Sequence, residues 1–160
     1  MNLFRHLGTV LVLCIGLAAS GLAHADSAIG YVKTLTGDAW VKTEGKDVKA
    51  APGTPVYMGS VLVTSKNGSM GVTFKDSTRM SFGPDTQMKV DEYLYTPNQN
   101  EGKLKLSTSL SKGTLNYVSG LIAKLQPDAV SVKTPGGTIG VRGTQFFVKI
   151  APTTTTGTPS

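Results

Sequence analysis

The chain has 160 residues, enough for one domain, and its 16 Lys and Arg against 10 Asp and Glu give a formal net charge of +6. Its only cysteine is Cys14 and its only histidines are His6 and His24, so beyond residue 25 there is no thiol for a disulfide and no imidazole for general-base chemistry near neutral pH. That excludes the common zinc and copper ligand sets, and the lysines, scattered singly from Lys33 to Lys149, lack the clustering of a nucleic-acid binder.

At the start of the chain, Arg5 precedes an apolar run from Leu7 to Leu22, and Ala23-His24-Ala25 follows. This pattern predicts a secretory signal peptide over residues 1–25, cleaved near Ala25, and a periplasmic or secreted location. The apolar run is short for a retained membrane anchor. Bulky Leu13 and the mid-run position of Cys14 argue against a lipoprotein.

From residue 26 to 150, helical periodicity is absent and period-2 alternation recurs between Gly, Asp, Asn and Pro. "IGYVKTLTGDAWVKT" predicts two strands about Thr36-Gly37-Asp38, with Ala39 and Val41 on one face and Trp40 and Lys42 on the other. Gly53 and Pro55 mark a polar turn. Val61 and Val63 alternate, and Asn67-Gly68 predicts a two-residue hairpin turn before Met70, Val72 and Phe74, which share a face. Lys75-Asp76-Ser77 turns the chain into Met80 and Phe82, and Gly83-Pro84-Asp85 turns it into Met88 and Val90. The three methionines, one per successive strand, are core positions rather than a metal cluster. "PNQNEG" (residues 97–102) is a loop, "KLKLSTSL" a strand, and Lys112-Gly113 a turn into "TLNYVSG". "GLIAKLQ" fits one short helical turn, "AVSVKT" and "TIGVRGTQFFVKI" are the last two strands, and residues 151–160 form a Thr/Pro-rich tail predicted to be disordered. The whole predicts one all-β domain of short antiparallel strands, a sandwich or a solenoid-like stack. Val61–Val72 laid over Val130–Val141 keeps Val, Gly and Val at fixed offset, which raises a pseudo-repeat.

"TPGGTIGVRGTQF" (Thr134–Phe146) is the densest motif. It lacks the spacing of a phosphate loop and leads into β-branched and aromatic residues where such a loop needs a helix. As a strand it sends Ile139 and Val141 one way, and Gly140, Arg142 and Thr144 the other. Gly140 leaves room for close packing beside Arg142. A buried arginine needs a carboxylate, and Asp76, Asp85, Asp91 and Glu92 are the candidates. Arg142 is then either a structural pin or an arginine facing a partner. Catalytic sets do not assemble: Asp91 and Glu92 are adjacent and diverge, and Ser77, Ser107 and Ser109 lack S-x-x-K spacing. No calcium loop surrounds Asp76 or Asp85. No enzyme activity, cofactor or metal site is expected. Trp40, Tyr93 and Tyr95, with lysines nearby, are candidates for contact with a glycan or an anionic lipid surface.

"GSVLVTSKNGSMGVTFKDSTRMSFGPDTQMKV", "KGTLNYVSG" and "VSVKTPGGTIGVRGTQFFV" together resemble the FecR domain, the periplasmic module of the iron-dicitrate regulator family. The resemblance spans roughly Gly30 to Ile150. Its most specific part is the closing motif, with Thr134, Pro135, Gly140, Arg142, Gly143 and Thr144. It implies an all-β, non-catalytic, extracytoplasmic domain. In the regulator that domain receives a signal from an outer-membrane transporter and relays it to a cytoplasmic anti-sigma segment. Here the expectation is a stand-alone secreted form without that segment, an internal membrane span or a docking domain after Ile150. Iron-dependent signalling and ligand residues therefore do not carry over. The expected role is binding another envelope protein, with a glycan or anionic lipid as the alternative.

Overall fold

Alternating β-branched and polar residues build twelve strands in the computed structural model, which describes residues 27–96 and 103–151. The predicted leader, the loop at 97–102 and nearly all of the tail lie outside the described residues. In chain order the strands are β1 (Gly30–Thr36), β2 (Ala39–Thr43), β3 (Lys46–Lys49), β4 (Pro55–Val56), β5 (Val61–Thr64), β6 (Ser69–Phe74), β7 (Arg79–Phe82), β8 (Gln87–Tyr95) and β9 (Leu104–Val118). Helix α1 (Leu121–Leu125) and a 3-10 turn (Pro127–Ala129) lead to β10 (Val130–Thr134), β11 (Gly137–Gly140) and β12 (Gln145–Ile150). The all-β expectation holds, and among the described residues no helix is long and apolar enough to cross a membrane.

The strands form a single sheet curled into a half-barrel with two walls. One wall runs β4-β1-β6-β7-β9-β12 and the other β3-β2-β5-β8-β9-β10-β11. Strand β9 belongs to both: its first part pairs with β8 and β10, and its last part, from Gly113, with β7 and β12. Lys112-Gly113 is therefore a bend within one continuous strand of 15 residues, not a turn between two. Gly113 makes the bend at φ +89°, and a Cβ there would collide with Thr86. The pairing is antiparallel except for β10 on β9, reached through α1 and the 3-10 turn as a crossover.

Three of the predicted turns are corners rather than hairpins. β1 and β2 lie in different walls, as do β5 and β6, so Gly37-Asp38 and Asn67-Gly68 carry the chain around a corner. Gly83–Thr86 does the same between β7 and β8. Tight-turn residues satisfy a corner as well as a hairpin, and only the pairing partners distinguish them. The corners stack into a seam. Ser65 N–H donates to Asp38 O at 2.9 Å, and Asp85 N–H donates to Ser65 O at 2.9 Å. The buried Thr64 and Thr86 hydroxyls lock it: both donate to Gly83 O, at 2.7 and 2.8 Å, and accept from the N–H of Thr86 and Thr114, at 2.9 and 3.0 Å.

Between the walls sits one apolar core that includes Val32, Leu62, Met70, Met80, Met88, Leu106, Leu110, Leu115 and Ile122, all at most 2% exposed. The alternation predicted for β2, β6, β7 and β8 matches their burial. Strands β3 and β4 fill the stretch read as a polar turn. The final segment splits into β11 and β12, which belong to different walls. The sequence echo has no structural counterpart, because Val61–Val72 rounds a corner while Val130–Gly140 closes a hairpin.

Candidate functional site

At the C-terminal end of the half-barrel, β10 and β11 form a hairpin over Pro135-Gly136, where the Thr134 hydroxyl donates to Gly137 O at 2.9 Å. Residues 141–144 then cross to the other wall. Val141 is buried and its N–H donates to Val130 O at 3.2 Å. Ser119, just after β9, donates from its N–H to Thr144 O at 2.9 Å and from its hydroxyl to Gly143 O at 2.6 Å. The crossing loop is thus held by its backbone on both sides.

Arg142 projects outward from this loop. It is exposed, lies outside any strand, and has no ion pair or side-chain hydrogen bond among the described residues. The structural-pin role is therefore corrected. Ile139 and Val141 do turn toward the core, but the opposite face at this edge of the molecule is solvent. Gly140 gives no close packing either, since a Cβ there would meet nothing within 4 Å. The proposed carboxylate partners are engaged elsewhere. Asp85 pairs with Lys112 at 2.7 Å, and that hydrogen bond and charge hold its carboxyl below the ordinary 3.8. Asp91 accepts from Ser109 at 2.6 Å, and Glu92 lies 3.9 Å from Lys105.

The buried charge is Asp76. It is fully buried and held by neutral donors. Thr78 contributes its hydroxyl at 2.6 Å and its N–H at 3.3 Å, while Ile122 N–H and the Tyr93 hydroxyl each donate at 3.3 Å. Its backbone joins in, with N–H donating to the Tyr93 oxygen at 2.9 Å and C=O accepting from Leu121 N–H at 2.7 Å. Gly120 permits this docking, because a Cβ there would collide with Asp76 O and Thr78 N. Burial first, then the Asp76 charge, pushes the Tyr93 hydroxyl far above its usual range. Burial likewise raises Tyr117. Its hydroxyl lies near those of Thr78 and Ser119 but in bonding geometry with neither, and its ring stacks on Phe146 at 4.8 Å. The sequence signal for the Asp76 site was the Asp76-Ser77-Thr78 turn, where an Asp bonds the backbone two residues on.

The three candidate aromatics do not form a platform. Tyr93 and Tyr95 pack against the core, and the Tyr93 hydroxyl is engaged by Asp76. Trp40 is half-buried on the other face of β2 from the core residues Ala39 and Val41. What the fold does bring together is an end where β12 has one edge unpaired among the described residues. A groove of about 530 Å³ opens there between Asp85, Lys112, Pro135 and Lys149. Beside it, β12 points Phe146, Val148 and Ile150 at the core and leaves Gln145, Phe147 and Lys149 exposed. No cluster of His, Cys, Asp or Glu fit to hold a metal occurs among the described residues.

The family model described as FecR protein matches residues 60–158, well over half of the 160-residue chain. The chain belongs to the FecR family. The FecR match begins at Ser60 rather than near Gly30, so β1 to β4 precede it. It takes in the Asp76 turn, the bend at Gly113 and the Arg142 loop. No curated protein and no solved structure matches this FecR-family chain.

Proposed function

We propose that this chain is a non-catalytic protein-interaction module of the bacterial cell envelope, exported by its N-terminal leader. In this reading it holds another envelope protein at the C-terminal end of the half-barrel, through the Arg142 loop and the neighbouring edge of β11. The carrying observation is Arg142 itself, a charged side chain without a partner among the described residues on a loop whose backbone Ser119 fixes. A cation presented on a pre-ordered loop loses little loop freedom when a partner's carboxylate reaches it, and arginine is enriched among the residues that dominate binding. Membership of a regulator-type family and the lack of His and Cys beyond residue 24 favour binding over chemistry.

A crosslinked pull-down from envelope extract tests this directly. The wild-type chain should recover a specific envelope protein that Arg142→Ala fails to recover. A repeated absence of any specific partner after crosslinking would sink the proposal. Fractionation with mass measurement tests export: the chain should start near Asp26 and appear outside the cytoplasm.

A further inference from the structure

Among the described residues, the strand edges left unpaired at the two ends of the half-barrel differ in character. At one end β4 is two residues long and begins with Pro55, and β3 carries Lys46, Asp47 and Lys49, all exposed. Short edges, prolines and charges of this kind prevent a strand from pairing with another chain. At the other end β12 is six residues long, pairs only with β9 among the described residues, carries one charge (Lys149), and exposes 65% of Phe147. An edge of that length and composition is a template for strand addition.

We propose that β12 pairs antiparallel with β12 of a second copy of this chain, about a two-fold axis at Phe147. Directly opposed residues of an antiparallel pair point to the same face, so the axis must pass through a residue position rather than between two. At Phe147 the exposed face matches Phe147 with its own copy and Gln145 with Lys149, so the only charge in β12 meets a neutral amide. On the inner face Phe146 meets Val148, and the half-buried row Phe146, Val148 and Ile150 continues into the same row of the second copy. One core then runs across both half-barrels. Arg142 itself and β11 lie outside the paired residues, so this pairing goes beyond the proposed envelope partner and stands or falls separately from it.

Sedimentation equilibrium and thiol crosslinking test the pairing on the full chain in a Cys14→Ser background, where an introduced thiol is the only one. The unmodified edge should give a concentration-dependent dimer. Phe147→Lys should raise the dimer dissociation constant about 30-fold or more with the far-UV circular dichroism unchanged. Phe147→Cys should oxidise to a covalent dimer, since opposed Cα atoms roughly 4.5–5.5 Å apart lie within disulfide reach. Lys149→Cys should not, because four residues of offset place the thiols about 13 Å apart along the strand. A chain that stays monomeric at on the order of 100 μM overturns the proposal, whatever else then covers the edge. So does a dimer indifferent to Phe147→Lys, or equal crosslinking at both positions. Should Phe147→Lys fail to fold, the two milder cysteine variants decide.

Discussion

Asp76 and Arg142 are charged residues in turns that dock on consecutive residues of the chain. Gly120 receives the Asp76 turn, and Ser119 holds the Arg142 loop. In the first turn the side chain is the anchor: Asp76 is buried and gathers donors from Thr78, Tyr93 and Ile122. In the second the backbone is the anchor, through Gly143 O and Thr144 O, and the side chain of Arg142 is left in water. A buried charge ringed by donors holds α1 against the β6–β7 turn, whereas an exposed charge on a fixed loop adds almost nothing to folding and is free to act.

The largest expected effect is at Asp76. Asp76→Ala leaves the Thr78 and Ile122 donors unpaired in a buried site, at a cost of about 4 kcal/mol. The melting temperature should fall by on the order of 10 °C or more in a scanning calorimeter. Asp76→Asn keeps one acceptor oxygen but turns an NH₂ group toward donors, so most of the loss should remain. A stability equal to wild type in Asp76→Ala would remove the distinction between the two turns. Gly120→Ala attacks the same junction from the other side. Its methyl group would press on the backbone of Asp76 and Thr78, which cannot yield as a side-chain tip can, and should cost about 2–3 kcal/mol.

Tyr93 gives a smaller and pH-dependent effect. Tyr93→Phe removes the hydroxyl that accepts from Asp76 N–H and donates to its carboxylate, for a loss of about 1 kcal/mol near neutral pH. The alkaline limb carries a second signature. In the folded chain the hydroxyl stays protonated well above its ordinary value of 10.0, while in the unfolded chain it ionises near that value. The unfolded state therefore binds fewer protons above pH 10, and this contribution to stability is complete below pH 10 and declines as pH rises beyond it. Urea midpoints measured from neutral into alkaline solution should fall less steeply for Tyr93→Phe than for wild type. Parallel curves would show that Tyr93 ionises as freely folded as unfolded.

The local half of this architecture is readable in the sequence. The alternation Met70, Val72, Phe74 and its continuation through Met80, Phe82, Met88 and Val90 depends only on near neighbours, and all seven side chains are buried. Partner choice is not local. Asn67-Gly68 reads as a hairpin because the same residues serve a corner, and the corner depends on β5 pairing with β2 and β8 while β6 pairs with β1 and β7. The bend in β9 is hidden for a similar reason: Lys112-Gly113 looks like a turn unless Thr86, far back in the chain, is seen to fill its inside. The site divides the same way. Arg142 is noticeable because glycines surround it, yet nothing nearby in sequence says which face meets solvent. Asp76 looks like an ordinary turn aspartate, since the groups that bury it come from Tyr93 and Ile122, 17 and 46 residues away.

The smallest expected stability effect is the most informative about function. Arg142→Ala should change stability by no more than about 0.5 kcal/mol, so its melting curve should overlay that of wild type within a few degrees. The anchor at Ser119 is made by its own N–H and hydroxyl to backbone carbonyls, which the substitution leaves in place. Ser119→Ala supplies the contrast: it deletes the 2.6 Å bond to Gly143 O, keeps Arg142, and frees part of the loop to move. If the loop acts by presenting a fixed cation, Arg142→Ala should abolish partner capture, and Ser119→Ala should weaken it in proportion to the order lost. Full capture by Arg142→Ala would move the binding surface away from the loop. Full capture by Ser119→Ala with none by Arg142→Ala would mean that the charge matters and its rigid presentation does not.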